Sequence, residues 1–339
     1  MAHRALAIFS SMSFTDAQWD RLRRVAPGAV IHQVPAQDPA EVGSHVGDAE
    51  VAIIDGNHNF DPVLAPNLRW VQTASAGVNL LLGKELWQSD VVICNASGIQ
   101  VRSMAEWAFS VILAFRHRLP YLRERQKQRV WVPTDPLGHS LGDLAGLTMG
   151  VVGYGSIGRE VGRLAKAFGM RLVATTVDPD KPADTGYVLP GTGDPEGVLP
   201  DVLEGPEWLM ELLGQSDVVV LTVPSTPATF RMMGAAQFQA MRPSAMFVNM
   251  SRGTVVDEAA LDQALREGWI AGAALDVTEV EPLPGDSPLW GHENLILTPH
   301  ISWLSPGYYD RLMDLFAENV RRYLAGEPLI NVVDRQRAF

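Results

Sequence analysis

The sequence predicts two doubly wound α/β domains, each a parallel sheet covered by helices on both faces. Three observations lead there. Continuous apolar runs of strand length alternate with amphipathic segments along nearly the whole chain. A glycine-rich turn, Gly153-Tyr154-Gly155-Ser156-Ile157-Gly158, stands between one such run and a helical pattern. The length, 339 residues, is long for one core and comfortable for two.

In the first part, strand-like segments Ala5–Phe9, Val30–Val34, Val51–Ile54, Trp70–Thr73 and Val91–Cys94 alternate with helical patterns over Asp16–Val25, near Pro39–Val46 and over Leu80–Gln88. This is a complete small α/β domain, and loops at the carboxyl ends of its strands are where such a sheet receives a ligand. One of those loops, Thr73-Ala-Ser-Ala-Gly-Val78, is built of small residues. The amides of Ala76, Gly77 and Val78 can face a carboxylate there, or the loop can serve only to reverse the chain.

A long helical pattern, Met104 to Phe115, leads out of this domain into a basic stretch, Arg116, Arg118, Arg123, Arg125, Lys127 and Arg129. That stretch reads as a solvated helix face, with a hinge or subunit contact as the alternative. Pro133, Pro136 and Gly138 then mark a loop.

The run Leu147–Val152 reads as a buried strand and Ile157–Phe168 as the helix after the glycine turn. One glycine permits the tight turn, one lets backbone approach a pyrophosphate, and one lets helix and strand pack closely. Amides at the helix start, about Ser156 and Ile157, would face phosphates with the positive end of the helix dipole behind them. The alternation resumes with Arg171–Val177, Trp208–Leu213, Val218–Val223, Ala245–Met250, a helix over Glu258–Glu267, Ala271–Val277 and Leu295–Thr298. Between Asp178 and Pro206 lies a Pro/Gly-rich connection, long for a compact domain, expected over the adenosine end of a nucleotide or at a subunit contact. A last helix, Tyr308–Tyr323, is expected to pack back on the first domain.

Composition excludes several classes. A hydrophobic content of 47% is ordinary for a soluble globular protein, and a net charge of −12 argues against a nucleic-acid surface. The single cysteine, Cys94, excludes an internal disulfide and a cysteine-rich metal site, which fits a reducing cytoplasm. Inside Val91–Ala96, with no basic neighbour in sequence, it reads as a buried thiol rather than a nucleophile. No run approaches the roughly 20 apolar residues of a membrane span. Ala5–Phe9 is short and soon meets Asp16, Asp20 and Arg21, so it reads as a first strand rather than a secretory segment.

Three polar residues end or follow strand-like runs in the second half: Arg252, Glu281 and His300. Each falls on the loop edge where an open α/β sheet binds its ligand. His3, His32, His45, His58, His117, His139 and His292 read as surface or structural.

These segments carry a resemblance. Gly153–Gly158, Asn249-Met-Ser-Arg-Gly253, Ala274-Leu-Asp-Val with Glu281-Pro-Leu-Pro284, and Thr298-Pro-His300 stand in the order and spacing of the D-isomer-specific 2-hydroxyacid dehydrogenases. Ser75–Val78 and Ala105-Glu106 also resemble that family, so the likeness spans essentially the whole chain. It implies a flavodoxin-like substrate domain from residues 1–100 plus 301–339, a Rossmann NAD(P) domain from 101–300, an active site in the cleft between them, and a homodimer. It implies that Arg252 binds the carboxylate and carbonyl of a 2-keto or 2-hydroxy acid, that Glu281 orients His300 and favours its charged form, and that Ala76, Gly77 and Val78 hold the carboxylate. Gly153, Tyr154, Gly155, Ser156, Ile157, Gly158, Thr176, Asp178, Pro224 and Ser251 would contact the cofactor, with Asp276 at its nicotinamide end. No metal, nucleic acid or membrane partner is implied.

The chemistry makes sense of these types. Hydride arriving at a keto carbon develops negative charge on oxygen, which a bidentate guanidinium stabilises and an imidazolium protonates. Glu281 argues against the formate dehydrogenase branch, which has glutamine there because no hydroxyl proton needs a base. An NAD(H)-sensing protein of corepressor type is the alternative that the same residues leave open. The position of the usual ribose-binding aspartate, 18 residues past Gly158, is Thr176. Asp178 can still accept from a ribose hydroxyl, whereas Thr175, Thr176 and Lys181 can receive a 2′-phosphate, so NAD(H) is favoured with NADP(H) the alternative. The small groups of the 73–78 loop suit glyoxylate, hydroxypyruvate or pyruvate. Trp303 either narrows the pocket or packs in the core or at a dimer contact. Tyr154 is expected to point away from the phosphates.

Overall fold

A computed structural model describes residues 5–34, 46–55, 62–134 and 142–339. Most of the expected helix near Pro39–Val46, His3, His45, His58, His139, Pro136 and Gly138 lie outside them. The chain divides into two compact units, Met1–Ile99 with Ser305–Phe339, and Gln100–Leu304.

The first unit is built on a five-stranded parallel sheet of β1 (Ala7–Ser10), β2 (Val30–Gln33), β3 (Val51–Ile54), β4 (Trp70–Thr73) and β5 (Val92–Cys94), in the order β2-β1-β3-β4-β5. That is the flavodoxin-like order. All four residues of β3 and of β4 are buried, as strands covered on both faces must be. The Asp16–Val25 helix opens with a capping box, Thr15 accepting from the Gln18 N–H while the Gln18 side chain accepts from the Thr15 N–H. It buries Trp19 and Leu22, and Arg21 bridges to Asp310 and Asp314 of the Tyr308–Ala325 helix. That last helix thus packs on the first unit, laying Phe316 5.5 Å from the Trp70 ring. Leu80–Gln88 is not one helix. A 3-10 turn, Asn79–Leu81, and a short helix, Glu85–Gln88, are separated at Gly83, whose φ of +75° breaks the helical run.

The second unit has a seven-stranded parallel sheet of β6 (Thr148–Val152), β7 (Arg171–Thr175), β8 (Val202–Glu204), β9 (Val218–Leu221), β10 (Met246–Asn249), β11 (Gly272–Leu275) and β12 (Leu295–Leu297). Their order is β12-β11-β10-β9-β6-β7-β8, so the winding reverses between β6 and β9. Successive residues feed opposite faces: Val218 and Val220 enter the cluster containing Met149 and Ala274, while Val219 and Leu221 enter the one containing Phe247 and Leu275. Full burial of each such side chain contributes about 1.5–3 kcal/mol.

Three segments differ from expectation. Trp208–Leu213 is helical, its 3-10 start at Pro206–Trp208 running into Leu209–Gln215, because burial recurs three to four residues apart, from half-buried Trp208 and Leu209 to buried Leu212 and Leu213, with Met210 and Glu211 exposed between them. The short Ala235–Ala240 helix carries no sequence signal beyond Phe238. The 178–206 connection contains β8 and is tied to the Ser156–Ala167 helix. Arg159, buried, donates to the carbonyls of Asp194 (2.7 Å) and Pro182 (2.6 Å), and Glu160 accepts from the Gly193 N–H at 2.6 Å. Residues 301–304 fall with the second unit because the Asp276 carboxylate accepts from the N–H groups of Ile301 and Ser302. Leu119–Lys127 is a helix with no buried residue, so the basic stretch is exposed. Among the described residues no helix is long and apolar enough to cross a membrane, and no cluster of three metal-ligating side chains occurs.

Candidate active site

The glycine turn sits at the reversal point of the second sheet, directly after β6. Gly153 has φ +97°, and a Cβ there would lie 2.8 Å from the Val223 side chain of the loop after β9. A Cβ on Gly158 would lie 2.5 Å from the Gly153 carbonyl, so helix and strand meet too closely for any side chain. Gly155 is the opposite case: a Cβ would meet nothing within 4 Å, so the backbone faces open space at the start of the Ser156–Ala167 helix. That surface, with the helix dipole behind it, fits a pyrophosphate.

Tyr154 turns away from this surface. Its buried ring packs where a Cβ on Gly162 would come within 3.1 Å, its hydroxyl donates to Asp194 at 2.9 Å, and Arg159 stacks over it at 5.0 Å. Its N–H donates to the Thr175 carbonyl at 2.8 Å, so its hydroxyl and its amide N–H are both engaged within the chain. Burial pushes the phenol well above its ordinary value. Ser251 is likewise engaged internally, its hydroxyl donating to Asn249 at 2.7 Å and its carbonyl accepting from Arg252 at 2.7 Å. The Thr176 N–H donates to the Glu204 carbonyl of β8 at 2.9 Å, and the Pro224 carbonyl accepts from Thr229 at 2.6 Å. The Asp178 carbonyl accepts from the Lys181 N–H, which turns the chain just beyond β7.

Arg252, Glu281 and His300 follow β10, β11 and β12, three adjacent strands, at their carboxyl ends. His300 Nδ1 lies 2.8 Å from a Glu281 carboxylate oxygen, and both side chains are 38% exposed. With Glu281 ionised, Nδ1 carries its hydrogen toward the carboxylate and Nε2 is left to exchange a proton outward. Arg252 is half-buried. Burial lowers its guanidinium from the ordinary value while the Glu281 charge opposes the shift, and it stays protonated regardless.

The main chain of His300 is held by contacts to which the sequence reading gave no such role. His300 has φ +55°, a conformation ordinary side chains avoid, and its N–H donates to the Asp276 carbonyl at 2.8 Å. The buried Asp276 carboxylate accepts from the Thr298 hydroxyl (2.6 Å) and the N–H groups of Ile301 and Ser302 (2.9 Å each). These fill three of its roughly four acceptor positions, so Asp276 braces the histidine loop before it can serve any ligand. Trp303, packed against the core, donates its indole N–H to the His300 carbonyl at 3.0 Å, which answers its open role. The adjacency of Asp276, Thr298 and Trp303 to the motifs was the available signal. Of the other histidines, His292 lies 2.8 Å from Asp262.

In the first unit, the N–H groups of Ala76, Gly77 and Val78 find no acceptor among the described residues, while Thr73 and Ala96 satisfy the neighbouring Ser75 carbonyl. Three consecutive amides in a small-residue bend thus remain as donors that an anion can use.

Comparison with known proteins places the chain in a family. The family profile described as "D-isomer specific 2-hydroxyacid dehydrogenase, NAD binding domain" matches residues 109–302. A glyoxylate reductase of Korarchaeum cryptofilum is 36% identical over 280 residues, 80% of this chain and 78% of that protein. A hydroxypyruvate reductase of Blautia hydrogenotrophica is 29% identical over 325 residues, 94% and 96% of the two chains. The crystal structure of a D-isomer specific 2-hydroxyacid dehydrogenase from Xanthobacter autotrophicus Py2, in complex with NADPH and MES, superposes with a TM-score of 0.78 at 28% identity, covering 99% of both chains. The chain therefore belongs to the D-isomer specific 2-hydroxyacid dehydrogenase family and is an enzyme of that class.

Proposed function

We propose that the protein reduces a small 2-keto acid of the glyoxylate or hydroxypyruvate class to its D-2-hydroxy acid. The observation that carries this reading is the 2.8 Å contact of His300 with Glu281, on the same sheet edge as Arg252. The bound nicotinamide supplies the hydride. Arg252 holds the substrate carboxylate and carbonyl and stabilises the charge that develops on oxygen. His300 delivers a proton from Nε2, and the Glu281 charge beside Nδ1 stabilises the imidazolium that gives it. The Ala76–Val78 amides are the groups assigned to the substrate carboxylate. Gly155 and the start of the Ser156–Ala167 helix receive the pyrophosphate, and the remaining acceptor position of Asp276 suits the carboxamide of the nicotinamide. The names of the Korarchaeum and Blautia relatives support the substrate class.

NAD(H) is the favoured cofactor. Asp178 follows β7, and the nearby cation Arg159 is already engaged by the Asp194 and Pro182 carbonyls rather than available to a 2′-phosphate. The NADPH in the Xanthobacter structure belongs to that protein and makes the comparison of nucleotides necessary. A homodimer is supported by the exposed apolar surface of the 119–132 segment, where Trp131 is 94% exposed. The single thiol, buried Cys94, fits a reducing cytoplasm.

Initial rates for glyoxylate, hydroxypyruvate and pyruvate with NADH and NADPH, measured on wild type and His300→Ala, test the reading. Wild type consumes reduced nucleotide when a keto acid is present. His300→Ala binds nucleotide normally but turns over about 10³-fold more slowly. Near-normal turnover in the variant removes His300 from the mechanism, and binding without consumption by wild type refutes the reductase. A much higher efficiency with NADPH overturns the cofactor preference.

A further inference from the structure

Glu281 does not hold its own position. It stands on a turn, Thr278–Glu281, whose internal bonds are short-range: the Thr278 N–H donates to the Glu281 carboxylate at 3.1 Å, and the Thr278 hydroxyl donates to the Val280 carbonyl at 2.9 Å. Such bonds fix the shape of the turn but not its place against the sheet. Besides the Glu281–His300 contact itself and the close packing of Gly253 against the turn, two polar contacts reach it from outside among the described residues. One is an ion pair between Arg231 and Glu279 at 2.6 Å, in which the partners are 46% and 26% exposed, so solvent screens most of its attraction. The other comes from Glu258, on the first turn of the Glu258–Glu267 helix, whose half-buried carboxylate accepts from the Glu279 backbone N–H. A charge-assisted bond to backbone, partly shielded from water, is the stronger tether, and it grips the main chain two residues from the carboxylate that faces His300.

Accepting this post is unfavourable for Glu258 itself. Burial raises its carboxyl above the ordinary value, and the charges of Glu279 and Glu281 push the same way, while the Glu279 N–H and Arg231 pull back. A third carboxylate beside two others is a poor choice for stability alone.

We propose that Glu258 is a positioning residue: by holding the Glu279 amide it sets the Glu281 carboxylate, and through it the imidazole of His300. This rests on the reading of His300 and Glu281 as the acid–base pair. An oxygen acceptor at position 258 is what the role requires, so Glu258→Gln keeps it and Glu258→Ala removes it.

The test measures kcat and KM for glyoxylate, the dissociation constant of NADH, and the Nδ1 proton resonance of His300 in nucleotide-free protein, for E258A, E258Q and H300A. In E258A we expect kcat to fall by about 30-fold with the NADH constant within twofold, and the His300 resonance to lose its hydrogen-bonded position, since a shift of the turn by a fraction of an ångström misplaces the pair. E258Q restores kcat to within about threefold and restores the resonance. Equal losses in E258A and E258Q, or an unchanged kcat and resonance in E258A, overturn the proposal. If E258A does not fold, E258L fills the volume without an acceptor and the contrast with E258Q reads the same way. Should H300A retain wild-type turnover, the acid–base reading fails instead, whereas a dead H300A beside an unaffected E258A isolates the failure to Glu258.

Discussion

Gly253→Ala is the sharpest perturbation of the proposed acid–base pair that replaces none of its side chains. Gly253 follows Arg252 and lies under the turn that bears Glu281. A Cβ there would stand 1.9 Å from the Thr278 carbonyl carbon, 2.0 Å from its oxygen and 2.3 Å from the Glu279 nitrogen. All three are main-chain atoms, so no side chain can swing aside, and the φ of Gly253 is one that alanine can adopt. The clash is therefore purely steric, and restoring van der Waals contact requires a displacement of roughly 1.5 Å between the Arg252 loop and the Thr278–Glu281 turn. Glu281 leaves His300 by a comparable distance, breaking a hydrogen bond now at 2.8 Å. A misplacement of about 1 Å at a reacting group costs on the order of 100-fold in rate, and overpacking of this kind costs about 1–3 kcal/mol in stability. The assay is steady-state kcat with glyoxylate alongside NADH binding and thermal denaturation. The expected result is a kcat about 100-fold down, a Tm a few degrees lower and a near-normal NADH constant, because the glycine turn after β6 does not touch this contact. A folded Gly253→Ala enzyme whose kcat stays within threefold of wild type would refute the claim that this close approach helps to place the Glu281 carboxylate against His300.

Gly155→Leu tests the nucleotide surface: with φ −88° and open space where its Cβ would go, the fold tolerates the side chain, but the pyrophosphate does not. We expect the NADH constant to rise at least tenfold, about 1.4 kcal/mol, without loss of Tm; unchanged binding by fluorescence titration would place the phosphates elsewhere. Burial pushes the Cys94 thiol from 9.0 up to about 12, so at pH 9 its thiolate fraction in the native state is roughly a thousandth of the protein's, against half for a free thiol. Because the folded value lies above the unfolded one, this group's contribution to stability is whole below pH 9.0 and is lost as pH rises through about 12. Ellman's reagent at pH 8 therefore reacts with native protein far more slowly than with guanidinium-unfolded protein, and comparable rates would show Cys94 to be accessible.

What the sequence made legible follows from the range of the interactions involved. Parallel strands buried on both faces, such as Val51–Ile54 and Val218–Leu221, declare themselves as unbroken apolar runs, and the Asp16–Val25 and Glu258–Glu267 helices carry their caps in the adjacent residues Thr15 and Asp257. The same local logic failed where one glycine decided the backbone, at Gly83, or where apolar content alone did not separate helix from strand, at Trp208–Leu213. The strand-end placement of Arg252, Glu281 and His300, the proposed reacting groups, was readable because each sits within a motif that follows an apolar run. Their supports were not, because a support is defined by a partner distant in sequence. Asp276 reads as a ligand-facing acid until its carboxylate is found on Ile301 and Ser302, and Glu258 reads as an ordinary first-turn helix acid until it is found on the Glu279 amide. Tyr154 shows the converse. It stands within the glycine turn, yet the absence of a side chain at Gly162 and the acid at Asp194, 40 residues away, draw its ring against the Ser156–Ala167 helix and away from the open surface. The proposed reacting groups are thus written in short patterns, while the groups that would aim them are written in which backbone amides and carbonyls the folded sheet brings to their side chains.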